Sequence, residues 1–481
     1  MEKVRTRFAP SPTGYMHIGN LRTALYAYLF AKKEHGDFIL RIEDTDRARY
    51  VDDAVDVIKN TLRAAGITWD EGPDAGGEYG PYVQSERMAI YKEYAEKLIE
   101  LGGAYRCFCD ADKKTEGDFG GYDRACRDLP AEEVERRLKN GDSYVIRQKM
   151  PLTGETTYFD VLHGNITIAN EELEDQILLK SDGMPTYNFA NVIDDHLMKV
   201  THIIRGEEFI TSTPKHVLLY DAYGWEKPVF MHLAPVMGKA EDGTVSKLSK
   251  RHGATSFEDL VNLGYLPPAI INYVALLGWN PKTTNEEIFS LEELKKLFSA
   301  EGLSKSPAVF DYNKLGWLNG EYLKRMTDEE FAQKARPFAG ELTDNLQEKW
   351  LFVAALLKTR LTNLAQVEGE IAFLKEMPPF DESLYANKRN KATIQTAKDI
   401  LPQVIEVLAG VSESEWTNEN LYSKISDVIE KVGVKKGAAL WPVRISIAGK
   451  TVTPGGATEL LYILGKDESL SRMKKSLANL P

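Results

Sequence analysis

The sequence predicts an α/β domain with a doubly wound parallel sheet, interrupted by a small inserted domain and followed by an all-helical C-terminal region. Three observations carry that prediction. The first forty-odd residues read as strand, tight turn, helix and strand. Between Tyr105 and about Glu174 the pattern breaks into mixed charges, short strands and glycines. Beyond about Met326 nearly every segment has the apolar spacing of an amphipathic helix.

Taken in order, Val4 to Ala9 is a short strand, and Pro10, Pro12 and Gly14 make a rigid turn. Leu21, Leu25, Tyr28 and Leu29 fall at helical spacing, Gly36 closes that helix, and Phe38, Ile39, Leu40 and Ile42 form a second buried strand. A strand, a tight turn and a helix N-terminus make a natural anion site. A helix from about Ser85 to Leu101 follows, then a strand around Ile203 and Ile204, and a helix from about Thr213 with Pro214 at its start. These elements place a Rossmann-type catalytic domain at 1–104 and 175–255, with the insertion at 105–174. Leu266, Pro267 and Pro268 followed by Ile270, Ile271, Val274 and Leu277 open a helical domain at 256–325. Helices such as Leu351 to Leu364 and Leu421 to Val432 fill a region at 326–481.

The 481 residues are 43% apolar and 27% charged, which excludes disordered, collagen-like and disulfide-stapled classes. Three cysteines cannot build a disulfide framework, so a reducing compartment is expected. The opening MEKVRTRFAPSPTG has no apolar signal region, and the longest apolar run, Ala24 to Ala31, is far too short to span a bilayer. The expectation is a cytoplasmic protein. The net charge of −12 argues against nucleic acid only if taken alone, because binding needs a local basic surface. The acid is unevenly placed: residues 1–350 hold 43 Lys+Arg and 57 Asp+Glu, whereas 351–481 hold 17 and 15.

Two constellations carry chemistry. In the first, Arg7 to Asn20, a proline-fixed turn leads to His17, Ile18, Gly19 and Asn20 at a helix start. Imidazole and amide side chains beside free backbone N–H groups there suit triphosphate oxygens. In the second, Lys247, Leu248, Ser249, Lys250 and Arg251 follow the loop-like Glu241, Asp242, Gly243 and Thr244. Three cations in five residues suit a mobile clamp on phosphate charge that develops in the transition state.

Together these resemble the HIGH and KMSKS signatures of class I aminoacyl-tRNA synthetases, in order and in spacing. Arg7 to Gly14 and Arg41-Ile42-Glu43-Asp44-Thr45-Asp46-Arg47 look like bacterial glutamyl-tRNA synthetase. So do Ser181 to Tyr187, Asn191 to His196 and Arg205-Gly206-Glu207-Glu208. The resemblance is strong from residue 5 to about 325 and continues more weakly to the C-terminus. One departure is Asn20, which stands where the generic signature ends in a second His.

The resemblance implies ATP- and Mg²⁺-dependent activation of L-glutamate, then its transfer to tRNA(Glu) by a cytoplasmic monomer. It assigns 105–174 to a connective, acceptor-binding domain, 256–325 to stem contact and 326–481 to anticodon binding. It places ATP against Ser11, His17, Gly19, Asn20, Glu208 and Lys250, with His17, Lys247 and Lys250 in the chemistry. Glutamate falls to Arg7, Ser11, Glu43, Tyr187, Asn191 and Arg205. The residue chemistry agrees: two carboxylates need cationic forks, Arg7 and Arg205, and the ammonium needs an anion, Glu43. The residues leave open the alternative that Arg7 and Glu43 are simply an ion pair between neighbouring strands.

Cys107, Cys109 and Cys126 are the metal candidates, and a Cys-x-Cys with a third Cys fits zinc. The fourth ligand is open between Tyr122 and Asp128, and three free thiols are the alternative. Lys358 and Arg360 are the tRNA-contact candidates. Lys388 to Lys391 and Lys435-Lys436 are further basic clusters. Three other readings compete: a relative that modifies a queuosine base with glutamate, a small-molecule nucleotidyltransferase, and a catalytically silent tRNA-binding paralogue. The first two have no need of the long helical tail, and intact His17, Glu43, Lys247 and Lys250 argue against the third.

Overall fold

The computed structural model describes residues 3–12, 14–45, 51, 53–109, 122–240 and 242–481. Thr13, Asp46, Arg47 and Glu241 of the quoted motifs lie outside the described residues, as does the side chain of Lys250. The chain divides into one unit of Met1–Val261 with Pro267–Tyr312 and a second of Asn262–Leu266 with Asn313–Pro481.

In the first unit β1 (Arg5–Phe8), α1 (Ile18–Lys33) and β2 (Asp37–Leu40) form the expected βαβ unit. β1 and β2 pair in parallel, with Arg7 opposite Ile39. α1 starts where it does because His17, in an extended conformation, accepts the Gly19 N–H on its side chain. The helix buries Leu21, Leu25, Tyr28 and Leu29, the residues that predicted it. Gly36 has to be a glycine, since a Cβ there would lie 2.1 Å from the Val4 carbonyl oxygen.

α2 (Ala54–Ala64), α3 (Met88–Glu100), β3 (Ala104–Cys107), α4 (Ala131–Lys139), β4 (Val145–Gln148), β5 (Glu155–Asp160), β6 (Gly164–Ala169) and β7 (Ile177–Leu179) follow. Next come α5 (Tyr187–Leu197), β8 (His202–Gly206), α6 (Thr213–Tyr223) and β9 (Val229–Leu233). β8 pairs with β9 in parallel, Arg205 opposite His232. β1 runs beside the start of β8, where Thr201 N–H donates to the Arg5 carbonyl at 3.0 Å. The parallel pairs β1–β2 and β8–β9 thus lie side by side, β1 next to β8.

The stretch 105–174 does not stay apart from that sheet. β3, β4 and β7 make a small antiparallel sheet of their own. β5, however, joins the edge of β9 in parallel through Asp160 and Phe230, and β6 folds back on it. Alternation explains the placement, because β5 buries every second residue and needs a covered face.

β10 (Val236–Lys239) and β11 (Val245–Lys247) form a hairpin, with Met237 opposite Lys247. α7 (Phe257–Asn262), α8 (Pro267–Ala275), α9 (Leu291–Leu297) and β12 (Ala308–Val309) complete the unit. α10 (Tyr312–Lys324) leads into the second unit, where every further described element is helical. There α11 (Asp328–Ala335), α12 (Asp344–Glu348), α13 (Trp350–Lys358), α14 (Val367–Lys375) and α15 (Ile394–Ala409) precede α16 (Asn418–Val432), α17 (Lys436–Ala448), α18 (Ala457–Leu464) and α19 (Lys466–Ala478). Buried Arg472 of α19 donates to the carbonyls of Phe373 at 2.7 Å, Leu374 at 3.1 Å and Ile447 at 3.0 Å. It thereby closes the C-terminal ends of α14 and α17, whose last carbonyls lack helical partners. Among the described residues no helix is long and apolar enough to cross a membrane.

Candidate functional site

A cleft of about 300 Å³ opens beyond the carboxyl ends of β1, β2 and β8, where open α/β sheets bind ligands. Its walls include Arg7, Ser11, His17, Gly19, Asn20, Glu43, Tyr187, Asn191, Arg205, Glu208 and Lys247. Every residue expected to meet ATP or glutamate therefore lines one cavity, apart from Lys250. Lys250 opens a short 3-10 turn, Lys250–His252, directly after the Lys247 strand.

The two signatures, separated by 230 positions in the chain, meet in this cleft. Ile18 N–H donates to the Thr255 carbonyl at 2.9 Å, which ties the start of α1 to the segment after Arg251. Burial and then the charge of Lys247 hold the His17 imidazole below its usual pKa, so it is neutral. Its Nδ1 accepts from Gly19 N–H at 3.2 Å, which puts the proton on Nε2, a buried donor near the Leu248 backbone that makes no well-formed hydrogen bond among the described residues. That donor fits a phosphate oxygen. Glu208 reaches the cleft because Gly206 has no side chain; a Cβ there would lie 2.1 Å from a Glu208 carboxylate oxygen.

The charged floor is a network that sequence reasoning only half saw. Arg7 does not pair with Glu43; Asp195 takes its Nε and Nη2 edge at 3.1 and 3.3 Å. The strand-pair alternative thus gives way to a three-element arrangement, because Asp195 on α5 outcompetes Glu43 for that edge. Arg41, fully buried, donates to Asp195 at 2.7 Å and to Glu43 Oε1 at 3.0 Å. Arg87 donates to Asp194 at 2.7 Å. Asn191 Nδ2 donates to Glu43 Oε1 at 2.9 Å, and its own Oδ1 is buried without a partner among the described residues. Burial raises the Glu43 carboxyl pKa against the pull of Arg41, then Arg7. Glu43 and Asn191 Oδ1 together are an acceptor pair for an ammonium group.

Arg205 is the exception among these arginines. It is 4% exposed, yet its hydrogen-bond partners among the described residues are all neutral: His232 Nε2 at 3.1 Å, Thr213 Oγ1 at 2.7 Å and His216 Nδ1 at 3.4 Å, with the Tyr187 hydroxyl beside them. No carboxylate among the described residues pairs with it. Desolvation accordingly lowers its pKa, and a buried unpaired cation is a strong site for an incoming anion. Tyr187, at the first turn of α5, is half-buried beside it and packs on Phe209.

Arg41, Asp194, Asp195, Asp160, His216, His232 and Arg22 were missed. Arg41 and both aspartates stand inside quoted motifs and carry a signal that could have been used, namely charge at positions flanked by buried apolar residues. Arg22 of α1 also lines the cleft and bonds the carbonyls of Ala234 and Leu277.

Outside the cleft, the Sγ atoms of Cys107, Cys109 and Cys126 lie within 4.8 Å of one another. Tetrahedral zinc with thiolates holds sulfurs about 3.8 Å apart, so the donor set fits the ion. Cys109 and Cys126 are 3.4 Å apart, and the Tyr122 hydroxyl sits 3.1 Å from Cys107 and 3.9 Å from Cys109. Asp128 is not in the cluster: it is exposed and paired with Lys149 at 2.9 Å. That ion pair draws its carboxylate away from the thiols.

In the second unit Lys358 is engaged internally, donating to the Met326 carbonyl and to Asp328 at the start of α11. Arg360 is exposed, just past the end of α13.

Residues 3–317 match the family model for tRNA synthetases class I (E and Q), catalytic domain, and residues 330–477 match an anticodon binding domain. The glutamate–tRNA ligase of Clostridium botulinum (strain Eklund 17B / Type B) is 52% identical and covers 99% of both chains. That of Clostridium novyi (strain NT) is 50% identical, over 100% of this chain and 98% of its own. A solved glutamate tRNA ligase from Elizabethkingia meningosepticum CCUG26117, in complex with its amino acid, superposes with a TM-score of 0.87 at 36% identity over the full length of both.

Proposed function

The chain belongs to the glutamate–tRNA ligase family of class I tRNA synthetases, and from that premise we propose how its own cleft performs the charging of tRNA with glutamate. ATP and glutamate bind side by side, and an α-carboxylate oxygen of glutamate attacks the α-phosphorus. Pyrophosphate leaves and glutamyl-adenylate remains. A ribose hydroxyl of the 3′-terminal adenosine of tRNA(Glu) then attacks the acyl carbon, and AMP leaves. No protein nucleophile is needed, because positioning and charge stabilisation supply the acceleration.

The single observation that supports these roles is the charge pattern of the cleft. Arg205, a buried cation with only neutral partners, takes the side-chain carboxylate of glutamate. Arg7 adds the part of its fork that Asp195 leaves open. Glu43 and Asn191 Oδ1 take the ammonium, and Ser11 and Tyr187 close the pocket. A glutamine side chain would present a neutral amide to Arg205, which costs a few kcal/mol on the order of one charge-assisted bond.

On the nucleotide side, the His17 Nε2–H donates to a phosphate oxygen, the Gly19 and Asn20 turn cradles the chain, and Glu208 faces the adenosine. Mg²⁺ enters with ATP and neutralises phosphate charge when bound. Lys247 and Lys250 act late, on the charge that develops as pyrophosphate departs.

Cys107, Cys109 and Cys126 would hold zinc, with Tyr122 as the fourth ligand in preference to Asp128. Its contribution is to fix the short antiparallel sheet around β3. Arg360, rather than the internally bound Lys358, is the residue free to meet tRNA. The protein acts as a cytoplasmic monomer.

The test is charging of total bacterial tRNA with labelled glutamate, with and without ATP, and with glutamine as control. ATP-dependent glutamate charging is expected, and separation of the charged species shows whether one or two tRNAs accept it. Failure to charge despite tRNA binding would favour a silent paralogue.

A further inference from the structure

Asp160, His232 and Arg205 stand in a row across three neighbouring strands, β5, β9 and β8, with Arg205 and His232 in direct register. All three are buried. Asp160 Oδ1 accepts the backbone N–H groups of Leu162 and His163, each at 2.9 Å. Its Oδ2 accepts the His232 backbone N–H at 3.0 Å and His232 Nδ1 at 2.7 Å. Four donors around one carboxylate hold it ionised, against the desolvation of its site.

That arrangement fixes the protons. His232 Nδ1 must carry the hydrogen that Asp160 accepts, so Nε2 presents a lone pair to Arg205 Nε at 3.1 Å. Thr213 does not compete, because its hydroxyl hydrogen goes to the Phe209 carbonyl at 2.7 Å and its oxygen is left to accept from Arg205 Nη2. His216 is set the same way. Its Nε2 meets the Asn188 side-chain oxygen at 2.9 Å and so is the donor, which leaves Nδ1 as an acceptor facing the Arg205 fork. Burial first, then Arg205, lowers the pKa of His216, and burial lowers that of His232 against the opposing pull of its bond to Asp160.

Arg7, Arg41 and Arg87 are each oriented by a carboxylate in direct contact, which also neutralises them. Arg205 is oriented through imidazoles instead, with Asp160 one ring further away. We propose that His232, fixed by Asp160, and His216 are positioning residues for substrate specificity: they hold Arg205 rigidly while leaving its charge unmatched, so that only a carboxylate side chain completes the site. The proposal rests on the reading of Arg205 as the carboxylate contact.

The test uses paired substitutions in the full-length enzyme, with KM for glutamate, KM for ATP and inhibition by glutamine as readouts. A Gln side chain places its polar end where imidazole Nε2 lies, and an Asn places it where Nδ1 lies. His232→Gln therefore keeps an acceptor for Arg205, and His232→Asn removes it. At position 216 the pattern reverses: His216→Asn keeps the acceptor and His216→Gln removes it. The acceptor-removing pair should raise the glutamate KM about 10-fold or more, on the scale of one lost hydrogen bond to a charged group, and narrow the margin over glutamine. The acceptor-keeping pair should stay within about 3-fold of wild type, and the ATP KM should not move in any of the four.

A merely structural role would not produce this crossed pattern. Equal effects of Gln and Asn at both positions, or parallel rises in the KM of ATP and glutamate, overturn the proposal. Should one His232 variant fail to fold, the His216 pair decides alone. Arg205→Gln separates the two readings. If it leaves the glutamate KM unchanged, the Arg205 assignment itself is wrong. If it raises that KM while the crossed pattern is missing, only the histidine relay fails.

Discussion

Replacing Glu43 by Gln isolates the recognition of the substrate ammonium. Glu43 is buried, and its Oε1 already accepts from Arg41 at 3.0 Å and Asn191 at 2.9 Å. Those two donors would hold the amide oxygen of the Gln variant on their side. Its NH₂ would then face the ammonium of glutamate, donor against donor. The substitution thus removes one charge-assisted bond, worth about 1.5–3 kcal/mol, and predicts a rise of roughly 10- to 150-fold in the glutamate KM. The fold should survive, because Arg41 keeps Asp195 at 2.7 Å and Asp194 at 3.7 Å. Burial already favours the uncharged form of the side chain at this position.

The assay is aminoacylation at saturating ATP and tRNA, with glutarate as competitor. Glutarate has both carboxylates of glutamate and no ammonium. Wild type should discriminate between the two, and Glu43→Gln should weaken glutamate while leaving glutarate inhibition within about 2-fold, since no ammonium is involved. Equal weakening of both would mean that Glu43 shapes the pocket and does not read the ammonium. An unchanged glutamate KM would remove Glu43 from substrate contact altogether.

Lys250→Ala should lower kcat by about 100-fold or more, the scale of one lost transition-state contact, with a glutamate KM within a few-fold of wild type; an unchanged kcat takes Lys250 out of the chemical step. Elemental analysis of protein purified without chelator should find about one zinc per chain, and well under one would refute the metal site. Tyr122→Phe should speed zinc loss to a chelator, while Asp128→Ala should not, given its pairing with Lys149. Asp195→Asn would strand the buried Arg7 guanidinium, leaving Arg41 with Glu43 and Asp194, and should destabilise the protein by about 3–5 kcal/mol in urea titrations; a loss under about 1 kcal/mol would contradict the network. His196, stacked 3.6 Å from Trp225, is held down to a pKa of about 4 by burial, then by Lys199 and Lys97. The unfolded chain takes up that proton near pH 6.5, so the stability His196 contributes is complete above pH 6.5 and falls between 6.5 and 4. The ring is half exposed, which limits the effect to the order of 1 kcal/mol after screening. Melting of wild type and His196→Gln at pH 7.5 and 5 should show a smaller acid loss in the variant, and identical losses would refute the assignment.

Sequence signals that act over a few residues were legible. β1, its proline turn and α1 appeared as read, because apolar period and turn chemistry are local causes. The helix expected over Leu351 to Leu364 instead stops at Lys358. The Gln366 side-chain oxygen accepts the Thr362 and Asn363 N–H groups at the start of a new 3-10 turn at Leu364, so a helix start overrode a continuing apolar pattern. That signal was in the sequence and outweighed the period. The pairing of β5 with β9 was not legible, since partners about 70 residues apart leave no mark on the spacing of either strand.

The cleft divides along the same line. Residues that line the cleft, such as Arg7, His17, Glu43 and Arg205, stand in motifs that the sequence displays. Those that set the charge of the lining residues were missed, even where they share a motif, as Arg41, Asp194 and Asp195 do. Even there, their partners decide their meaning: Arg7 and Arg205 look alike on strands β1 and β8, but Asp195 matches one and His232 with His216 flanks the other. Specificity for an anion needs a cation that the fold has declined to neutralise. That property belongs to no single residue, because it depends on which acceptors the register of β8, β9 and β5 brings beside Arg205. The charge that Arg205 keeps unpaired is therefore set by its neutral neighbours on β9 and α6, not by the arginine alone.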